Sequence, residues 1–409
     1  MTPARTALLV AIAMYAAAAV IAIALVPWDA AVTPWSDLAT DRLGAFTADQ
    51  VEAIETYVAA AWLPGVLAWL APALLALSVL LIRPLREWLA RVGPQRRPVL
   101  ASLLAAAVLL AATRLATLPF VLLVAQARRD AGLLIEPWSA WWLRWMGESA
   151  AFVVLGALGI AIALAVLRRW PRRGWIPLVA GAALIALVTS ALIPLTQRFE
   201  GTSADAELSQ RVVDMADRLG VEVGTVTVVV TGDSSPAINA HVSGWGPTRA
   251  VTIYDTVAGT LSPQQIDALV AHELIHVREG DVVLGTALAA LAAAGTAALA
   301  AALVLSGRGR RWLRASGPGD PRMVPLIAAV ALVASLVGSI GAVTVSRALE
   351  ARTDREAIVV TGDPDTYADL LVSLAVTNRS TLTPPRWRYA LLFTHPTPLQ
   401  RLAIADASS

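Results

Sequence analysis

Seven apolar stretches, at about 6–26, 58–82, 99–125, 149–167, 176–196, 283–306 and 323–345, dominate this chain, each near or above the ~20 residues that a helix needs to cross a hydrocarbon layer. Unpaired peptide groups are costly in lipid, so such stretches must close their hydrogen bonds internally as helices. Hydrophobic residues make up 57% of the 409 and charged residues only 15%, which a water-soluble domain does not tolerate. The fold class is therefore an α-helical, multi-pass integral membrane protein, and its first partner is the lipid bilayer. The first stretch reads as an anchor and not as a cleaved signal peptide, because its apolar run is long and no clear small-residue cleavage site ends it.

Charge is placed to suit that reading. All 32 residues counted as Lys or Arg are arginines, and they gather at span ends with many of the 14 tryptophans. Trp28, Trp35, Trp138, Trp141, Trp142, Trp145, Trp170, Trp175 and Trp312 all lie near such ends, the pattern of an interfacial aromatic belt. A net charge of +2 with the arginines spent at headgroup level offers no surface for nucleic acid. The chain has no cysteine, which excludes disulfides and thiolate metal sites.

The longest polar segment, 197–282, lies between the fifth and sixth spans and reads as a small α+β insert. Residues 204–220 have helical periodicity, 225–231 are β-branched, and 249–257 alternate like a strand. Added substrate strands commonly pair with a sheet edge, and 249–257 is the candidate edge, with an ordinary buried hairpin as the alternative. The insert ends on His272-Glu273-Leu274-Ile275-His276, an HExxH motif in a chain with four histidines, the others being His241 and His395. Ser262, Pro263 and Gln265 supply an N-cap, a first-turn proline and a capping box, and Gly280 stops the helix. On that helix two imidazoles at i and i+4 share one face and Glu273 stands beside them. Zinc prefers tetrahedral coordination and a catalytic site keeps one position for water, so a third protein ligand is required. Glu273 is then the general base. Two surface histidines on an amphipathic helix are the plain alternative.

Residues 346–360 offer Glu350 as the third ligand and, four residues on, Asp354 as a carboxylate that orients a ligating histidine. A solvated helix in which Arg347, Arg352 and Arg355 pair with these acids is the alternative. Arg114 stands inside the third span, where charge is costly, and is expected to face a cavity or an ion-pair partner.

In ordered blocks over most of its length, the chain resembles the membrane-integral zinc endopeptidases of the CAAX prenyl protease type, a gluzincin family shared with bacterial heat-shock membrane metalloproteases. Ala131-Gly132-Leu133 with the tryptophan-rich 138–145, the start of the insert at Pro194 to Phe199, Asn239-Ala240, Tyr254-Asp255-Thr256, the HELIH block, Ser346 through Asp354, and Thr394-His395-Pro396 with Arg401 carry the resemblance. Thr353 stands where that family usually has alanine. The resemblance implies seven helices enclosing a chamber, one zinc per chain on His272, His276 and Glu350, and Glu273 as base. It implies further that Asn239 and Tyr254 lie on the substrate side, and that His395 and Arg401 stabilise the oxyanion or brace the site.

Four segments follow from these readings: a five-span membrane domain (1–196), the catalytic insert (197–282), two further spans (283–345), and the third-ligand helix with the His-Pro segment (346–409). The expected activity is hydrolysis of peptide bonds in a polypeptide substrate, CAAX-protease-like or in membrane-protein quality control, in a bacterial plasma membrane. The competing class is a non-proteolytic transporter or receptor with a structural zinc. Orientation divides two arguments. The resemblance places the insert on the cytosolic side, whereas the short loops after spans two, four and six carry five, four and five arginines and place it on the other.

Overall fold

The computed structural model describes residues 1–407 except 34–35, 232–233 and 245–248, with only the backbone of 193–200. Trp35 and the side chains of Pro194 to Phe199 therefore lie outside the described residues.

Seven helices are long and apolar enough to cross a membrane. They are α1 (Pro3–Leu25), α2 (Ala48–Leu81), α4 (Pro98–Asp130), α5 (Trp138–Arg169), α6 (Trp175–Glu200), α10 (Asp281–Leu305) and α12 (Val324–Thr361). Two short helices, α3 (Arg83–Ala90) and α11 (Gly307–Leu313), follow α2 and α10. Neighbouring spans pack in the cyclic order α10, α6, α5, α4, α2, α12 and back to α10. That ring encloses an interior, and α1 packs on α10. Gly295 makes the α1 contact close: its backbone lies against the Tyr15 ring, and the Tyr15 hydroxyl sits 2.8 Å from the Thr296 hydroxyl.

Pro64 and Pro72 in α2 and Pro119 in α4 do not end their helices, as is common in membrane spans where neighbours re-satisfy the freed carbonyls. Arg114 in α4 donates to the Ser149 hydroxyl at 3.0 Å and lies over the rings of Trp145 and Phe152. Among the described residues no carboxylate pairs with it. The tryptophan-rich run of α5 is more than a belt: Trp141 is buried and packs edge-on to Trp138 and Trp142, while Trp28, Trp170 and Trp312 are exposed.

Outside the spans stand α7 (Ala206–Leu219), α8 (Asp255–Thr260), α9 (Pro263–Arg278), α13 (Pro364–Thr377), α14 (Arg386–Leu392) and α15 (Pro398–Asp406). Strands β1 (Gly201–Ser203), β2 (Thr225–Val229), β3 (Ala240–Ser243) and β4 (Ala250–Tyr254) form one sheet in the order β1-β2-β4-β3. This order corrects the reading of 249–257. β4 is paired on both sides, parallel to β2 and antiparallel to β3, so it cannot accept an added strand. The strand also ends at Tyr254, because Asp255 opens α8. Alternation of apolar residues revealed the strand but not its place in the sheet, which depends on long-range pairing.

The span at 323–345 and the helix at 346–360 are one element. α12 runs 38 residues without an internal break until Gly362, whose φ of 67° suits a helix-ending glycine. The segment boundary drawn at 345/346 falls inside it. At ~1.5 Å per residue α12 is about 57 Å long, well beyond a hydrocarbon core of about 30 Å, so its last turns stand clear of the lipid. Those turns pack on α9, and one hydrophobic core joins them to the sheet, α7, α13 and α15.

Candidate active site

Helix α9 begins as its sequence dictates. The Ser262 hydroxyl accepts from Gln265 N–H, Gln265 answers by accepting from Ser262 N–H, and Pro263 fills the first turn. Its burial is broader than a stripe: Ile266, Leu269, Val270, Leu274 and Ile275 are all in the core. The helix is therefore fixed on most of its circumference, and the two imidazoles at i and i+4 inherit that rigidity. At its other end Gly280, with φ of 74°, turns the chain directly into α10.

The four-residue spacing places His272 Nε2 and His276 Nε2 3.3 Å apart. Glu350 comes from α12, with one carboxylate oxygen 3.1 Å from His272 Nε2 and the other 3.6 Å from His276 Nε2. Ligand atoms of these three residues all lie within 4.8 Å of one another, the only such metal-holding group among the described residues.

The far side of each imidazole is held as well. Asp354 is fully buried; it accepts from the Tyr367 hydroxyl at 2.7 Å and lies 3.2 Å from His272 Nδ1. Arg401, on α15, closes on the same carboxylate at 2.8 and 2.6 Å. His276 Nδ1 meets Asp281 at 2.7 Å, and Asp281 in turn accepts from Arg352 at 2.6 Å. A carboxylate on each Nδ1 favours the tautomer that carries its proton there, which leaves both Nε2 lone pairs facing Glu350. Two imidazole nitrogens and a carboxylate, with no thiolate, are a donor set that zinc accepts.

Glu273 faces a cavity of about 420 Å³, which it lines with Asn239, His272, Phe393, His395 and Arg401. Burial pushes the Glu273 carboxyl above its ordinary range, with the nearby histidines pulling the other way. His395 Nε2 reaches to 3.2 Å from Glu350 from the open side, and half of the His395 side chain is exposed. Tyr254 is not brought to the cavity. It ends β4, half-buried and packed against the hydrophobic core, and is not among the residues that line this cavity.

Several residues at the site were not foreseen. Asp281 is the fifth residue after His276 and reads in sequence as an ordinary acid in a helix first turn. Tyr367 is apolar-patterned in α13. Asn378 spans 140 positions to clasp Ile238 with both amide groups, donating to its carbonyl and accepting from its N–H at 3.0 Å each. This clasp fixes the strand next to Asn239. Arg347, one turn before Glu350, donates to the carbonyls of Tyr389 and Phe393 and so holds the segment that carries His395. Apart from the five-residue step from His276 to Asp281, none of these pairings is local in sequence. Thr353 is buried with its hydroxyl 3.5 Å from His276 Nδ1, so the extra oxygen faces the same network.

An HExxH helix, a glutamate from a second helix and a cavity walled by the HExxH glutamate have the donor set and layout of a metallopeptidase site. Residues 202–408, half of the chain, match the model of peptidase family M48, and the protein belongs to that family. It is 24% identical over 247 residues to an uncharacterized metalloprotease, YhfN, of Bacillus subtilis, covering 58% of this chain and 57% of that one. It is 31% identical over 163 residues to an HtpX protease homolog of Ralstonia nicotianae, covering 39% of this chain and 52% of that one. The chain thus spans little more than half the length of these curated relatives. The crystal structure of S. mikatae Ste24p has the same fold, with a TM-score of 0.74 over 99% of both chains at 16% identity.

Proposed function

We propose that this protein is a zinc-dependent, membrane-embedded endopeptidase. The observation that carries the reading is the convergence of His272, His276 and Glu350 within 4.8 Å beside a cavity walled by Glu273. In this reading His272, His276 and Glu350 hold one zinc per chain. Bound there, the ion would polarise a scissile carbonyl and acidify water. Glu273 takes a proton from the attacking water and delivers it to the leaving amine. Asp354 and Asp281 hold the two imidazoles in the tautomer that leaves Nε2 free. Arg401 spends its donors on Asp354, so it braces the site. His395 stands at the open side of Glu350, the position from which an N–H can meet a developing oxyanion.

The substrate is a polypeptide. Asn239, exposed on the cavity wall where the chain enters the edge strand β3, is placed to meet its backbone. A CAAX-type prenylated C-terminus and membrane-protein turnover are the two substrate classes that fit a site set at the end of a ring of spans. The Bacillus and Ralstonia relatives favour a bacterial plasma membrane as the setting. A purely structural zinc needs neither a glutamate between its histidines nor a cavity beside it. Incubation of purified protein with a peptide panel, with and without a chelator, tests the proposal: zinc-restorable cleavage supports it, and absence of cleavage of any peptide at full zinc occupancy contradicts it.

A further inference from the structure

The arginines of the short loops converge on one end of the molecule. The structure joins the N-terminal flank and the loops after α2, α5 and α10 at that end. Ala4, Leu89, Leu313 and Met323 share a core, Arg322 pairs with Glu87 at 3.0 Å, the Arg86 guanidinium lies over the Trp312 ring, and the Gly319 backbone lies against Arg168. These four segments hold Arg5, five arginines in 82–98, four in 168–174 and five in 306–322, against the acids Glu87 and Asp320 alone. Trp88, Trp170 and Trp312 stand exposed among them, as headgroup-level aromatics do.

The opposite end carries the cavity. Arg355 donates to the Ala30 carbonyl, Gln400 to the Asp37 carbonyl, and Ile135 N–H to the Ser234 carbonyl, so the loops after α1 and α4 close on the zinc-site side. Those loops, 26–47 and 128–137, hold three arginines and five acids. Basic residues in short loops within about 15–20 residues of span ends are retained on the cytoplasmic side, while long polar segments cross with little regard to their charge. The insert and the C-terminal segment are such long segments, and their own arginines do not vote.

We infer that the arginine-rich end sits against the anionic headgroups of the cytoplasmic leaflet and that the cavity opens on the opposite, non-cytoplasmic face. The substrates are then exported polypeptides or the non-cytoplasmic segments of membrane proteins, a statement that rests on the endopeptidase reading. In that orientation prenylated cytosolic C-termini do not reach the cavity, which leaves membrane-protein turnover of the two substrate classes.

The chain has no cysteine, so a single introduced thiol reports its side without background. Ser203→Cys lies exposed on β1 at the cavity end and Ser316→Cys lies exposed at the arginine end. Intact cells of a bacterial host are treated with a membrane-impermeant maleimide, and lysed cells give the full signal for each thiol. Labelling of Ser203→Cys, normalised to that signal, should exceed labelling of Ser316→Cys more than tenfold. Equal labelling, or the reverse ratio, overturns the inference. The exposed pair Asp217→Cys and Pro171→Cys repeats the comparison should either first variant fail to accumulate. Carrying Glu273→Gln in every variant must leave the ratios unchanged, because orientation does not require catalysis. An impermeant peptide that purified enzyme cleaves should also be cleaved by intact cells. Correct labelling without that cleavage leaves the orientation standing and overturns the substrate assignment.

Discussion

Replacement of Asp281 tests whether the zinc site depends on a residue that the HExxH motif does not contain. Its carboxylate meets His276 Nδ1 at 2.7 Å and Arg352 at 2.6 Å, and it is buried. Carboxylates in this position, behind a metal-bound imidazole, are worth about 10–100-fold in metal affinity, or ~1.4–2.7 kcal/mol. Asp281→Asn keeps an oxygen that can accept from Nδ1–H but loses the charge, and belongs near the tenfold end. Asp281→Ala removes the acceptor and strips Arg352 of its short contact, leaving that side chain with Glu279 at 4.0 Å and Glu356 at 3.8 Å. It belongs near the hundredfold end. Competition against a chromogenic chelator measures the zinc affinity of each variant, and circular dichroism checks that the fold is retained. Wild-type affinity in folded Asp281→Ala would refute the argument that the Nδ1 partner sets the ligating tautomer of His276.

Three further outcomes follow from neighbouring contacts. Arg401→Ala leaves Asp354 buried without its cation, which costs about 3–5 kcal/mol in such sites, so thermal stability should fall; a large loss of turnover at unchanged stability would instead give Arg401 a direct catalytic part. Asn378→Ala frees the strand beside Asn239 and forfeits about 1–2 kcal/mol of hydrogen bonding, which should raise KM roughly 5–30-fold with zinc content intact; an unchanged KM contradicts the clasp. Burial alone would push metal-free His272 down, but hydrogen bonds to Asp354 and Glu350 and their charges outweigh it and lift the imidazole from 6.5 to about 10. The resulting stabilisation of the metal-free protein is complete below pH 6.5 and lost as pH rises through about 10. Zinc must displace that proton, so its apparent affinity should rise by up to about tenfold per pH unit across the same window. A flat profile would contradict the pairing.

Much of the architecture could be read without coordinates because its signals are local. Twenty-residue apolar runs can satisfy their peptide groups only as helices, and the capping box at Ser262 and the glycine at 280 bracket α9 within a residue. The candidate metal ligands were legible for a similar reason: His272 and His276 are one turn apart, and Glu350 and Asp354 repeat that spacing. What escaped depends on distance in sequence. The central place of β4 is decided by pairing with β2 and β3, so alternation at 249–257 suggested an edge that does not exist. Tyr367, Asn378 and Arg347 each act through a partner fixed only when distant elements dock, whereas Asp281 meets His276 across the short turn from α9 into α10. The unbroken length of α12 was missed because a change from apolar to charged residues marks the membrane surface and not a helix end.

The central claim is that Glu273 works as a base on water at a zinc site, and Glu273→Gln addresses it most directly. Glutamine preserves size and hydrogen bonding but cannot take a proton. Purified wild type and Glu273→Gln should hold equal zinc, measured by elemental analysis, while turnover of a cleaved peptide falls about 10²–10⁴-fold in the variant. Near wild-type turnover by zinc-loaded Glu273→Gln would contradict the account.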